Sequence, residues 1–200
     1  MEVAHSFYQE LYTDEPIDTS SIQCLIDNLS NCIDGNQAEL LSEPISIFEV
    51  VHAMENAPLD RAPGDDGIPA ETWKHFTRFT PMLAGDFNSW LDQESLPQAV
   101  NMGIITLLYK KDDPFNIKNY RPITLTNSVY KILSRILCNR LKSVLDDIFG
   151  PTQTCIPAQY IGSNIRTLLD VIDHSEVTKS PLGILLLDQE KAFDKVSMKL

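Results

Sequence analysis

Gly183–Ile184–Leu185–Leu186–Leu187–Asp188–Gln189–Glu190–Lys191–Ala192–Phe193–Asp194 opens the last eighteen residues of the chain. Its short apolar run, Ile184 to Leu187, has no helical period and reads as a buried strand. The strand delivers a carboxylate, Asp188, at its C-terminal end, with a small residue and an aromatic four and five positions later. A strand end is rigid, so a carboxylate there can hold a divalent metal at fixed geometry for phosphoryl transfer. Taken alone, the same segment also reads as a strand that stops in a polar turn, so the weight falls on what lies upstream.

Working back along the chain, Ser128–Ile148 reads as the best helix. Val129, Ile132, Leu133, Ile136, Leu137, Leu141, Val144, Leu145 and Ile148 follow the 3.6 period, with Lys131, Arg135 and Lys142 on the other face. A further helix is expected over Ile161–His174. Before 128, a strand at Met102–Tyr109, a turn at Lys111–Asn119 and a second strand at Arg121–Leu125 make a β-hairpin with a long basic tip. The 58–69 stretch holds three prolines and two glycines and reads as a loop. Ahead of it, Ser46–Ile47–Phe48–Glu49 has the form of a capping box and starts a helix over 47–57. Helices are expected at Ala70–Phe79 and Met82–Gln93. In the first 43 residues two are expected, at Val3–Tyr12 and about Ser20–Cys32.

A chain of 200 residues with 43% apolar content can bury a core. It contains no apolar run long enough to cross a membrane, and its start has neither the basic nor the apolar part of a signal peptide. Cys24, Cys32, Cys138 and Cys155 lack C-x-x-C spacing, which argues against a zinc site and for reduced, buried or incidental thiols. These features together suggest an intracellular protein, nuclear or cytoplasmic. The net charge of −12 would seem to exclude nucleic acid, but its distribution does not. Residues 1–100 hold 3 Lys/Arg against 18 Asp/Glu, whereas 104–142 hold 8 basic residues against 2 acidic. Electrostatic steering acts within a Debye length of about 10 Å, so a locally basic segment suits a phosphate-contacting surface. A solvated helix face plus a charged turn is the plainer reading of the same residues.

Four blocks, in order, carry a family resemblance. Arg61–Ala62–Pro63–Gly64–Asp65–Asp66–Gly67–Ile68–Pro69–Ala70–Glu71 is one. Ile105 to Asp112, followed by Lys118–Asn119–Tyr120–Arg121–Pro122–Ile123 and on to Asn127, is the second. Tyr130–Lys131–Ile132 through Asn139–Arg140–Leu141 is the third, and Leu187–Asp188 through Phe193–Asp194 the fourth. Together they resemble the reverse transcriptases of LINE-type (non-LTR) retrotransposons, over nearly the whole chain. The resemblance implies an α+β fold: the fingers and the start of the palm of a right-hand polymerase, mostly helical, with one β-hairpin and one palm strand. It implies a helical N-terminal extension over 1–57, fingers over 58–180 and a first palm strand over 181–200, where the domain is cut off.

What the family does is carried over residue by residue. Asp188 matches the first metal-binding aspartate of the palm, and the expected ion is Mg²⁺. Gln189 matches a site whose backbone carbonyl can complete coordination. Phe193 matches the aromatic steric gate under the sugar, with a core aromatic as the structural alternative. Lys110 or Lys111, one position apart in the match, and Arg121 correspond to fingers residues that hold the triphosphate of the incoming dNTP. The Pro63–Gly67 segment is expected to be structural. RNA template, DNA primer and dNTP are the implied partners. Two departures stand out: Gln153–Ile165 lacks the family's Gly–Arg pair, and the second metal motif does not occur before Leu200. As this chain alone, a fragment of an RNA-directed DNA polymerase without activity is expected. The alternative is a non-catalytic remnant that binds nucleic acid or protein through the 104–142 surface.

Overall fold

The computed structural model describes residues 2–13, 18–29, 32–149, 160–189, 192 and 194. The chain divides into two compact units. One joins Met1–Cys32 to Phe149–Leu200, and the other runs from Ile33 to Ile148.

The central unit begins with α3 (Gly35–Ser42) and α4 (Ile47–Glu55), while α1 (Glu2–Leu11) and α2 (Thr19–Asp27) belong to the other unit. Both helices start from reciprocal caps. The Asp34 side chain accepts from the Gln37 N–H while Gln37 reaches back to the Asp34 N–H, and Ser46 and Glu49 do the same for α4. Each box satisfies two of the N–H groups that a helix start leaves without partners. The capping box at Ser46 is thus found as read, whereas α3 was not foreseen.

Next come α5 (Ala70–His75), a 3₁₀ turn (Thr77–Phe79), α6 (Thr80–Asp92) and the short α7 (Gln98–Asn101). The hairpin follows, β1 (Gly103–Tyr109) antiparallel to β2 (Tyr120–Thr126), and then α8 (Ser128–Lys142) and α9 (Leu145–Ile148). The single helix expected over 128–148 is interrupted after Lys142.

The core of this unit is made by three helices. Val50, Ala53 and Met54 of α4, Leu83, Ala84 and Phe87 of α6, and Ile132, Leu133 and Ile136 of α8 form one buried cluster, closed by Ile45. Burying a side chain such as Phe87 or Met54 stabilises by about 1.5–3 kcal/mol. The hairpin lies outside this cluster, and Ile104, Ile105, Leu108 and Ile123 on it are exposed.

The other unit contains α1 (Glu2–Leu11), α2 (Thr19–Asp27) and α10 (Ile161–Thr178). Neither α2 nor α10 buries a residue. Among the described residues, no helix is long and apolar enough to cross a membrane. After α10, which ends on Lys179 in the left-handed conformation (φ 52°), residues 180–189 form no strand.

The buried strand expected at Ile184–Leu187 is therefore corrected. Those four side chains are 51%, 79%, 85% and 86% exposed. A strand is held by a neighbour's N–H and C=O groups, and the one sheet among the described residues is the β1–β2 hairpin. Without a ladder among the described residues, the apolar run is left largely exposed.

Candidate functional site

The hairpin register determines which of its side chains act together. Leu108 faces Arg121, Thr106 faces Ile123 and Ile104 faces Leu125. The ladder continues one step beyond β1, with the Lys110 N–H donating to the Asn119 carbonyl at 2.8 Å. Side chains alternate across a strand, so Lys110, Leu108 and Arg121 share a face while Lys111 follows on the other side of the ladder. Lys110, Lys111, Lys118 and Arg121 are all exposed.

The loop between the strands is fastened to their ends. The Tyr109 hydroxyl donates to the Asp112 carbonyl at 2.5 Å, Asn119 Nδ2 to the Asp113 carbonyl at 2.9 Å and the Tyr120 hydroxyl to the Pro114 carbonyl at 2.9 Å. The Tyr109 and Tyr120 rings lie 5.6 Å apart. Asn119 and Tyr120 thus hold the loop, and Arg121, next in sequence, is left to face outward. This gives the Asn119–Tyr120–Arg121–Pro122 block a division of labour that its sequence alone did not reveal.

Further down the same face, toward α8, is a cavity of about 390 Å³. Ile123, Leu125 and Ile132 give it an apolar floor, and Arg61, Lys131 and Arg135 line it with cations. Lys131 Nζ donates to the Ala62 carbonyl at 3.0 Å and Arg135 Nη1 to the Asn56 carbonyl at 2.8 Å. Each side chain carries more donors than that one bond uses, so both still present positive charge to the cavity. An apolar floor with a cationic rim suits a ligand that is part flat ring and part anion.

The Pro63–Gly67 loop packs closely against Asn127. A Cβ on Gly64 would lie 2.0 Å from Asn127 Oδ1 and 2.5 Å from the Asn127 backbone nitrogen, so no side chain fits there. Gly67 closes the turn at φ 65°. Buried Asn127 donates to the Ala99 carbonyl at 2.8 Å, and Ser128 Oγ donates to the Ile68 carbonyl at 2.7 Å. Asn127 closes the second of the four sequence blocks, but no role was read for it there.

Not all of the basic 104–142 segment is a free surface. Arg140 uses all five of its N–H donors: two bonds to Glu49 at 2.6 and 2.9 Å, and bonds to the carbonyls of Leu41, Glu43 and Pro44. The Arg140 guanidinium, together with the Ser46 cap, holds the Glu49 carboxyl down to about 2 despite its partial burial. Arg140 therefore ties α8 to the α3–α4 connection, and the eight-cation surface is corrected to five cations whose side chains have no partner among the described residues, the two at the cavity and this one internal link.

In the other unit, Asp188 and Gln189 are exposed. Phe193 lies outside the described residues. Among the described residues, no three His, Cys, Asp or Glu side chains gather to hold a metal ion. Asp194 accepts a long hydrogen bond, 3.4 Å, from the hydroxyl of Tyr12, the residue that follows α1. Burial and, after it, the Asp194 charge raise the Tyr12 phenol above its ordinary value.

Comparison with known proteins bears on the chain as a whole. Residues 109–200 match the reverse transcriptase (RNA-dependent DNA polymerase) family. The sequence is 35% identical over 198 residues to the transposon TX1 uncharacterized 149 kDa protein of Xenopus laevis, covering 96% of this chain and 15% of that protein. It is 27% identical over 187 residues to a probable RNA-directed DNA polymerase from transposon BS of Drosophila melanogaster, covering 89% and 20%. It is 31% identical over 171 residues to the RNA-directed DNA polymerase from mobile element jockey of the same species, covering 80% and 18%. The chain thus spans about a fifth or less of the length of these curated relatives.

Proposed function

We infer the function of this chain from its family: it belongs to the reverse transcriptases of non-LTR retrotransposons, of whose polymerase domain it carries a part. The proposed activity of the whole protein is RNA-templated synthesis of DNA from dNTPs, with residues 58–180 as fingers, 181–200 as the start of the palm and 1–57 as a helical extension. Lys110 and Arg121 hold the triphosphate of the incoming nucleotide. The cavity above α8 takes part of the nucleic acid, its apolar floor against a base and its cations toward phosphate. Asp188 is one ligand for Mg²⁺, with the Gln189 carbonyl beside it and Phe193 as the gate against a 2′-hydroxyl. An intracellular location, nuclear or cytoplasmic, goes with an RNA template, a DNA primer and dNTP as partners. The family is metal-dependent, but Asp188 alone does not make a two-ion centre, so no chemical step is assigned to the ion here.

The observation that carries this reading is the shared hairpin face of Lys110 and Arg121. A point-charge ammonium and a forked guanidinium on one exposed face, neither side chain engaged elsewhere among the described residues, match a polyanion such as a triphosphate. Equilibrium binding of a fluorescently labelled dNTP tests it. Arg121→Ala is expected to weaken binding about tenfold, the scale of one charge-assisted hydrogen bond. Binding unchanged in both Arg121→Ala and Lys110→Ala would contradict the assignment.

A further inference from the structure

We propose that Phe115, at the tip of the hairpin, is a stacking platform for an unpaired base of single-stranded nucleic acid. The assignment rests on the nucleic-acid reading above but concerns a residue outside the four sequence blocks. Phe115 is 96% exposed, the most exposed large apolar side chain among the described residues. Leaving a phenylalanine in water forgoes about 1.5–3 kcal/mol of possible burial. A mobile loop could fold such a ring away; this loop is fastened. Three successive carbonyls ahead of it, those of Asp112, Asp113 and Pro114, each accept a side-chain bond from Tyr109, Asn119 and Tyr120. The Phe115 N–H itself donates to Asp113 Oδ1 at 3.0 Å, and the Asn116 N–H donates to the Asp113 carbonyl at 3.2 Å. The backbone that carries the ring is therefore fixed, and little further ordering is needed when something stacks on it.

The surrounding charge identifies the occupant. Residues 110–121 include Lys110, Lys111, Lys118 and Arg121 against Asp112 and Asp113, and one oxygen of Asp113 is turned back onto the Phe115 N–H. A protein partner of ordinary apolar character would not be drawn to a single ring on a hairpin that carries four cations. A flexible polyanion with flat bases would be: an aromatic face takes any base, and cations track the backbone. The class of ligand is single-stranded RNA or DNA, without sequence preference.

The test uses the full 200-residue chain with a short single-stranded RNA carrying 2-aminopurine, whose fluorescence is quenched on stacking. The wild type should quench it on binding. Phe115→Leu keeps the apolar bulk but removes the ring. It should lose the quench and weaken binding about five- to a hundredfold, the range of a lost base–aromatic stack. Phe115→Trp should restore both, and thermal melting should be unchanged in all three because the side chain touches solvent. If Phe115→Leu binds and quenches like wild type while Lys110→Ala and Arg121→Ala weaken binding, the platform is wrong and the nucleic-acid reading stands. If Phe115→Leu abolishes only self-association in sedimentation, the ring is a protein contact and the proposal is overturned. Absence of any nucleic-acid binding by wild type would overturn both.

Discussion

Arg140 shows how a residue's role can be hidden by its type. In sequence it is one more cation on a helix that also carries Lys131, Arg135 and Lys142. In the structure it is a structural tie, with its five donors divided between the Glu49 carboxylate and the carbonyls of Leu41, Glu43 and Pro44. The consequence for pH follows from Glu49. Its folded value of about 2 lies below the ordinary 4.5, so the bond contributes fully above pH 4.5 and is lost as pH falls toward 2. Melting temperatures of wild type and Glu49→Gln should therefore differ most near neutrality, with wild type higher, and converge between pH 4.5 and 2. A difference that stays constant through that window would show that Glu49 is not ionised against Arg140.

Among the elements, α8 and the hairpin were the most legible, because periodicity is a local property. Ile132, Leu133 and Ile136 occupy the buried stripe that the 3.6 spacing marks, and the strands lie within a residue of their expected bounds. The helix α3 was missed: its eight residues, Gly35–Ser42, bury none, and its sole strong signal is the Asp34–Gln37 cap. The division between free and engaged cations was not legible either. Which carbonyls lie within reach of Lys131 and Arg135 depends on where the 56–62 loop lies, a non-local fact. The run Ile184–Leu187 failed for the opposite reason, since its apolar pattern is that of a strand but a strand exists only with a neighbour. Hydrogen exchange on the 200-residue chain should find the amides of Ile184–Leu187 exchanging far faster than those of Ile132–Ile136. Comparable protection would mean that the run has paired, against the arrangement described here.

At the scale of the whole molecule, the function proposed above needs a metal site and a cationic surface for the triphosphate. One carboxylate, Asp188, stands where the family resemblance puts a metal ligand, and two-metal phosphoryl transfer needs more than one. Residues 1–200 by themselves, given primer–template, dNTPs and Mg²⁺, should incorporate nucleotide only at background level. Clear incorporation that Asp188→Asn abolishes would contradict this. The charged face, by contrast, is present in these residues, and the salt dependence of binding reads it most directly. The affinity of the chain for an RNA–DNA hybrid should fall with salt, with a log–log slope of roughly 0.9 or less per phosphate contacted. The double variant Lys110→Ala, Arg121→Ala should bind more weakly and shallow that slope by about one to two; an affinity and slope equal to those of wild type would show that this hairpin face does not contact phosphate.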